Sequence, residues 1–305
     1  MIKRALAAGL ALLALAPAVA LADPCDDQLT ACLQGSDLAV PMQAELITAF
    51  VPVRDTPEAL ALYRQLIPRP YSMPDEPAVG VYASKLDIPF RIPGNPEGNY
   101  SSWFEDGIDI RVEHQGETGW YRLAVPLSSP FEWEIGRAAG FPKIMAEAGR
   151  EDIGGGHRMW ARSDGQTMVD LAWEPAGGAV APSLRSYTLN RDPVFLLMDP
   201  LAGPAASRYR FVVKPIVPAG DFGAPAATQV APVTALPEPQ AGPVRYCLGA
   251  DLAAFARADG LPDVFPGDST LADLVALEGV VAGAYWDSPE ELLILREEDL
   301  GEGGY

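Results

Sequence analysis

Gly136-Arg137-Ala138-Ala139-Gly140-Phe141-Pro142-Lys143-Ile144-Met145-Ala146 sets a lone lysine in an apolar run. Burying an ammonium without a partner is costly, so such a lysine calls for an explanation. One reading is a surface lysine whose stem covers apolar neighbours while its head reaches water. The other is an amine kept free of its proton so that it can attack a carbonyl. A free lysine offers the neutral amine in only about one molecule in 2,500 at pH 7, so the second reading needs a setting that disfavours the charge. Ile144 follows directly, so no adjacent cation helps and the sequence leaves an apolar setting as the means.

The chain around this stretch has 305 residues. It opens with Lys3 and Arg4, an apolar run over 5–21, and Ala20-Leu21-Ala22 as a small-x-small cleavage site. These are the three parts of a secretory signal peptide, which predicts a periplasmic or secreted protein starting at Asp23. No later stretch is long and apolar enough to span a bilayer as a helix. The formal net charge of −19 becomes −21 once Lys3 and Arg4 leave with the signal. So acidic a chain is unsuited to nucleic-acid backbones or anionic membrane surfaces. Cys25, Cys32 and Cys247 are the three cysteines, and any two could pair after export. With no C-x-x-C and only His114 and His157, the expectation is no metal site.

Outward from Lys143 the pattern is mostly β. Ile108, Ile110 and Val112 alternate with Asp109, Arg111 and Glu113, which predicts a half-buried strand. Further strands are expected at 49–53, 79–84, 120–127, 184–189, 209–217, 244–248, 280–286 and 292–295, and a hairpin at 158–162 and 166–174 around Ser163-Asp164-Gly165. Thr56-Pro57-Glu58 opens a helix that Pro68 ends, and shorter helices are expected at 26–33, 251–257 and 270–277. Gly154-Gly155-Gly156-His157 lacks a strand–loop–helix context and reads as a turn, not a phosphate loop. The expected organisation is a signal peptide over 1–22, an N-terminal extension over 23–45, one β-rich α+β domain over 46–296 with a Pro/Ala-rich loop at 218–243, and an acidic tail over 297–305.

Gly136-Arg137 followed by Phe141-Pro142-Lys143 and a small residue at Ala146 resembles the lysine motif of the acetoacetate decarboxylase family. Trp103-Phe104-Glu105-Asp106-Gly107 resembles that family's glutamate segment. Leu66-Ile67-Pro68 with Pro77, and Arg208-Tyr209 to Pro218, resemble its helix end and a long strand. The similarity covers roughly 46–217 and, more loosely, 279–296. It implies a β-barrel with peripheral helices, homo-oligomeric assembly, and a Schiff base between Lys143 and a substrate carbonyl. It also implies Glu105 as the catalytic carboxylate. The chain departs from the family at Ile144, where a second lysine is usual, and at Ala138, where a glutamate is usual. Leu46 stands near an arginine of the decarboxylases, and Tyr82 near a second acid.

The functional expectation is therefore lyase-type chemistry on a small oxo-acid or related carbonyl compound. Lys143 is the nucleophile and Glu105 the proton shuttle. Arg137 is a carboxylate-binding candidate, and Tyr82 and Tyr121 are candidate pocket hydroxyls. No cofactor is expected, because an iminium is itself the electron sink. The alternative is an exported binding protein that keeps the barrel without the chemistry, a reading that Ala138 and Ile144 favour. A third is a structural protein whose extension and acidic surface serve an interaction.

Overall fold

The computed structural model describes residues 38–69, 71–88, 101–114, 116–138, 140–188, 192–197, 209–213, 216–217 and 238–299. The signal peptide, the 26–33 helix, Cys25, Cys32 and most of the Pro/Ala-rich loop lie outside them.

Thirteen strands form one sheet. They are β1 (Leu38–Pro52), β2 (Ala78–Ile88), β3 (Ser101–His114), β4 (Glu117–Leu127), β5 (Lys143–Met145), β6 (Glu147–Ile153), β7 (Gly156–Ser163), β8 (Gln166–Trp173), β9 (Pro193–Leu197), β10 (Tyr209–Val213), β11 (Ile216–Val217), β12 (Gln240–Leu248) and β13 (Glu278–Asp299). The neighbour order β1-β2-β3-β4-β9-β10-β13 closes on itself, because β13 also pairs with β1. This circuit is the barrel. Its closure satisfies the edge groups that an open sheet exposes.

The same β13 carries β12 on its other edge, and β8, β7 and β6 continue from there. This second layer folds over β1–β4. Ile47, Ala49, Val81, Ala83, Ile108 and Ile110 meet Met159, Met168, Leu171 and Val244 in the main core. Three helices close that core: α1 (Pro57–Leu66), α4 (Leu252–Ala258) and α5 (Leu271–Leu274). Two more among the described residues are α2 (Pro130–Ala138) and α3 (Pro182–Thr188).

Local chemistry accounts for the helix starts. Thr56 caps α1 by accepting from Ala59 N at 3.2 Å, with Pro57 at the first position. Asp251 caps α4 from Ala254 N at 2.8 Å, and Thr270 and Asp273 form a capping box on α5. The β7–β8 hairpin turns on Asp164 (φ 49°) and Gly165 (φ 74°), the two positive-φ residues that a tight primed turn requires.

Several expectations are corrected. Of the strand expected at 184–189, the described residues 184–188 are helix instead: Leu184, Tyr187 and Thr188 are buried at helical spacing in α3, behind Pro182 at its start. The first strand starts at Leu38, inside the stretch assigned to the extension, because Leu38–Met42 pair with β13. Residues 280–286 and 292–295 belong to one strand that runs on to Asp299, into the stretch read as the acidic tail. Finally, β3 is buried on both faces. Its apolar face lies in the main core, and Glu105 and Asp109, 4 % and 0 % exposed, sit on the face turned into the barrel. Alternation shows two unlike faces, and here the polar one meets an interior instead of bulk water.

Candidate active site

The barrel-facing sides of β1, β2 and β4 contribute Leu46, Tyr82 and Trp120 to a second cluster. Tyr187 of α3 and Trp286 of β13 belong to it as well. Among these apolar groups lies a polar network built by register. Ser84 pairs with Glu105 and Tyr82 with Gly107 across β2 and β3. Gly107 is required there, because a Cβ would stand 2.1 Å from the Tyr82 ring. Asp109 lies opposite Arg122 on β4, just after a bulge.

Lys143 begins β5, which runs parallel to β4 with Val125 opposite Lys143. Alternation sends Ile144 into the main core and the Lys143 side chain the other way, back across β4 towards β3. There Nζ donates to Glu105 Oε2 at 2.5 Å. Lys143 and Glu105 are 6 % and 4 % exposed. The lysine stem rests on Gly136 in the last turns of α2, where a Cβ would stand 2.1 Å from Cε. The Gly136-to-Lys143 spacing thus acts as a packing device: a helix ends, the chain turns at Gly140 (φ 92°), and the lysine folds back over the glycine. The Phe141 ring lies 5.5 Å from Nζ.

The setting is therefore not only apolar. Glu105 also accepts from Tyr82 Oη at 3.1 Å, and from Trp103 Nε1 at 3.4 Å on the oxygen that meets Lys143. Arg122 stacks over the Tyr82 ring at 4.5 Å and ion-pairs with Asp109 at 3.1 Å. Tyr187 donates to the same Asp109 oxygen, Oδ2, at 3.0 Å. Burial holds the Tyr82 and Tyr187 phenols well above their usual range, with nearby carboxylates pushing the same way, so both remain neutral donors. Two buried ion pairs, bridged by Tyr82, line the interior. Their geometry provides an amine, a carboxylate that can take its proton, and fixed hydroxyl donors.

The other expected site residues are placed elsewhere. Arg137 donates to Asp259 O at 2.7 Å and stacks on Trp133 at 4.6 Å. Asp259 also accepts from Trp133 Nε1 and Met145 N, so this cluster ties α2 and β5 to the end of α4. Tyr121 points into the main core. It lines a cleft of about 350 Å³ beside Leu66, Pro142 and Phe265 that contains neither Lys143 nor Glu105. Arg122, Asp109 and Tyr187 were not anticipated. Their signal was available in part: Arg122 is a lone cation in the apolar run of β4, the same anomaly that marks Lys143.

The structure is a closed β-barrel with a buried lysine–carboxylate pair in its interior, and the family follows from the sequence. The family model described as Acetoacetate decarboxylase (ADC) matches residues 34–215, and the chain belongs to that family. Among solved structures it is similar to an acetoacetate decarboxylase from Legionella pneumophila subsp. pneumophila str. Philadelphia 1, at 13% identity and TM-score 0.58, over 87% of this chain and 89% of that one. It is similar to the enduracididine biosynthesis enzyme MppR complexed with pyruvate, at 13% identity and TM-score 0.56, over 88% and 92%. An acetoacetate decarboxylase-like enzyme from Sphingomonas wittichii RW1 aligns at 15% identity and TM-score 0.53, over 86% and 93%. At such identities the likeness establishes the fold. A comparison with curated protein sequences gave no match. Family membership supports lyase-type chemistry on a small molecule as the general reading.

Proposed function

We propose that this protein is an exported lyase-type enzyme that forms an imine between Lys143 and a small oxo-acid or related carbonyl substrate. The observation that carries the reading is the 2.5 Å contact between two buried side chains, Lys143 Nζ and Glu105 Oε2. Glu105 takes the ammonium proton, and the amine adds to the carbonyl carbon. The resulting carbinolamine loses its oxygen as water, with Glu105 returning the proton, and leaves an iminium. The iminium accepts the electron pair of a neighbouring bond. If that bond joins a carboxylate, carbon dioxide leaves. If it is a C–H bond, Glu105 or solvent takes the proton and an enamine forms, ready to add to an aldehyde. Reprotonation at carbon and hydrolysis return Lys143.

The second reading is a binding protein on the same barrel, and Ala138 and Ile144 favour it, since both replace residues of the family motif. Enamine formation separates the two. Proton NMR in D2O should show the wild type exchanging the methyl protons of pyruvate or acetoacetate well above the buffer rate, and Lys143→Ala at the buffer rate. Exchange at the buffer rate in the wild type, for every carbonyl compound tried, would leave the binding reading.

A further inference from the structure

The strand that carries Lys143 is three residues long and pairs in the sheet with β4 alone among the described residues. On that side its flanks are bonded: Val125 N donates to Pro142 O at 3.0 Å, and Ala146 N to Leu127 O at 2.9 Å. A strand directs every second N–H to its other edge, and these donors also need acceptors. Lys143 N turns back to Phe141 O at 2.8 Å. Met145 N is met by a side chain 114 positions away, Asp259 Oδ2, at 3.0 Å. A carboxyl oxygen thus stands where the carbonyl of a further strand would.

The same oxygen accepts from Trp133 Nε1 of α2 at 2.7 Å. Arg137, also of α2, donates to the Asp259 main-chain carbonyl at 2.7 Å and stacks on Trp133 at 4.6 Å. Between those two residues lies Gly136, on which the Lys143 stem rests. Asp259 therefore grips both sides of the hand-over from α2 to β5. Its own base is fixed: it closes α4, whose Leu252, Ala253 and Ala256 are buried, and its N–H donates to Phe255 O at 3.2 Å. Met145 is two residues from Lys143, about 7 Å along the strand. A slip at the Met145 bond shifts the amine against Glu105, across a contact of only 2.5 Å.

We infer that Asp259 is a positioning residue, which holds Lys143 in register with Glu105 through Met145 and Trp133. Its effect on turnover rests on the imine reading; the latch itself rests on these bonds alone.

Four variants of the full chain, each checked for folding by circular dichroism, test it. Asp259→Ala removes the oxygen. Asp259→Asn offers the same oxygen and loses only the charge that faces Arg137 at 3.7 Å. Asp259→Glu keeps the charge and carries the oxygen one methylene further. Asp251→Ala removes the cap at the other end of α4 and should lower Tm by roughly 2–4 °C without touching the latch. The first readout, independent of imine chemistry, is acylation by acetic anhydride mapped by peptide mass spectrometry. Relative to Lys85, acylation of Lys143 should rise at least about tenfold in Asp259→Ala and at least about threefold in Asp259→Glu. It should stay within about twofold of the wild type in Asp259→Asn and Asp251→Ala. The second readout is single-turnover borohydride labelling by pyruvate. Its maximal rate should fall at least about tenfold in Asp259→Ala, with half-saturating pyruvate within about twofold of the wild type, and Asp259→Asn should restore it. Asparagine as impaired as alanine, glutamate unimpaired, or Asp251→Ala as impaired as Asp259→Ala would overturn the latch. The expected acylation pattern, with no labelling of wild-type Lys143 by any carbonyl compound, keeps the latch and removes the imine reading.

Discussion

Lys143 and Glu105 sit 38 positions apart in sequence and 2.5 Å apart in space. Glu105→Gln keeps an acceptor for Lys143 and Tyr82 but cannot hold the ammonium proton. Deuterium exchange into pyruvate should fall by roughly 10²- to 10⁴-fold, the usual scale of a lost general base. Asp106, the next residue, points the other way, into the main-core side of β3, and is 1 % exposed. The Ser84 backbone faces it, and neither carboxyl oxygen has a hydrogen-bond partner among the described residues. Burial, with lesser contributions from Glu105 and Asp170, raises this carboxyl well above the usual range. The unfolded chain ionises Asp106 first as pH rises, so its contribution to stability is full below the ordinary carboxylate pKa and lost towards the raised one. Asp106→Asn should match the wild type in Tm near pH 4. Near pH 8 it should melt higher, on the order of 3 °C. A constant difference between the two melting curves across that range would contradict this assignment.

At the scale of elements, the site depends on how α2 hands over to β5. Gly136 leaves the space that the Lys143 stem occupies, so Gly136→Ala puts a Cβ 2.1 Å from Cε. Alanine in a helix normally gains about 0.5–1 kcal/mol over glycine. Here the substitution should lower Tm and slow pyruvate-dependent labelling of Lys143 at least about tenfold, with circular dichroism unchanged. The cap of α1 offers a control away from the site. Thr56→Ala should cost about 1 kcal/mol, or roughly 2–4 °C, with labelling unaffected. Elements with chemical punctuation were legible in the sequence: the Thr56-Pro57 start of α1, the Asp164-Gly165 turn and the helix beginning near Asp251. Elements decided by packing were not. The Leu184–Thr188 segment has apolar and β-prone residues, and its burial against β1 and β13, behind Pro182, makes it a helix.

At the scale of the molecule, the barrel and the family were legible because the Phe141-Pro142-Lys143 and Trp103–Gly107 motifs keep their order and spacing. Barrel closure was not, since it depends on β13 pairing with β1 across more than two hundred residues. Nor was the Arg122–Asp109–Tyr187 group, which strand register at the Ile108/Asp109 bulge and the packing of α3 bring together. Among the described residues no helix is long and apolar enough to cross a membrane. The export reading therefore rests on residues 1–22, and N-terminal sequencing of protein expressed with its own leader in a bacterial host should begin at Asp23.

The most direct test of the account is to trap the imine. The full chain, incubated with pyruvate or acetoacetate, is reduced with borohydride and mapped by peptide mass spectrometry. The account predicts one stoichiometric adduct, on Lys143, absent from Lys143→Ala. Adducts spread over surface lysines, with Lys143 unmodified, would contradict it.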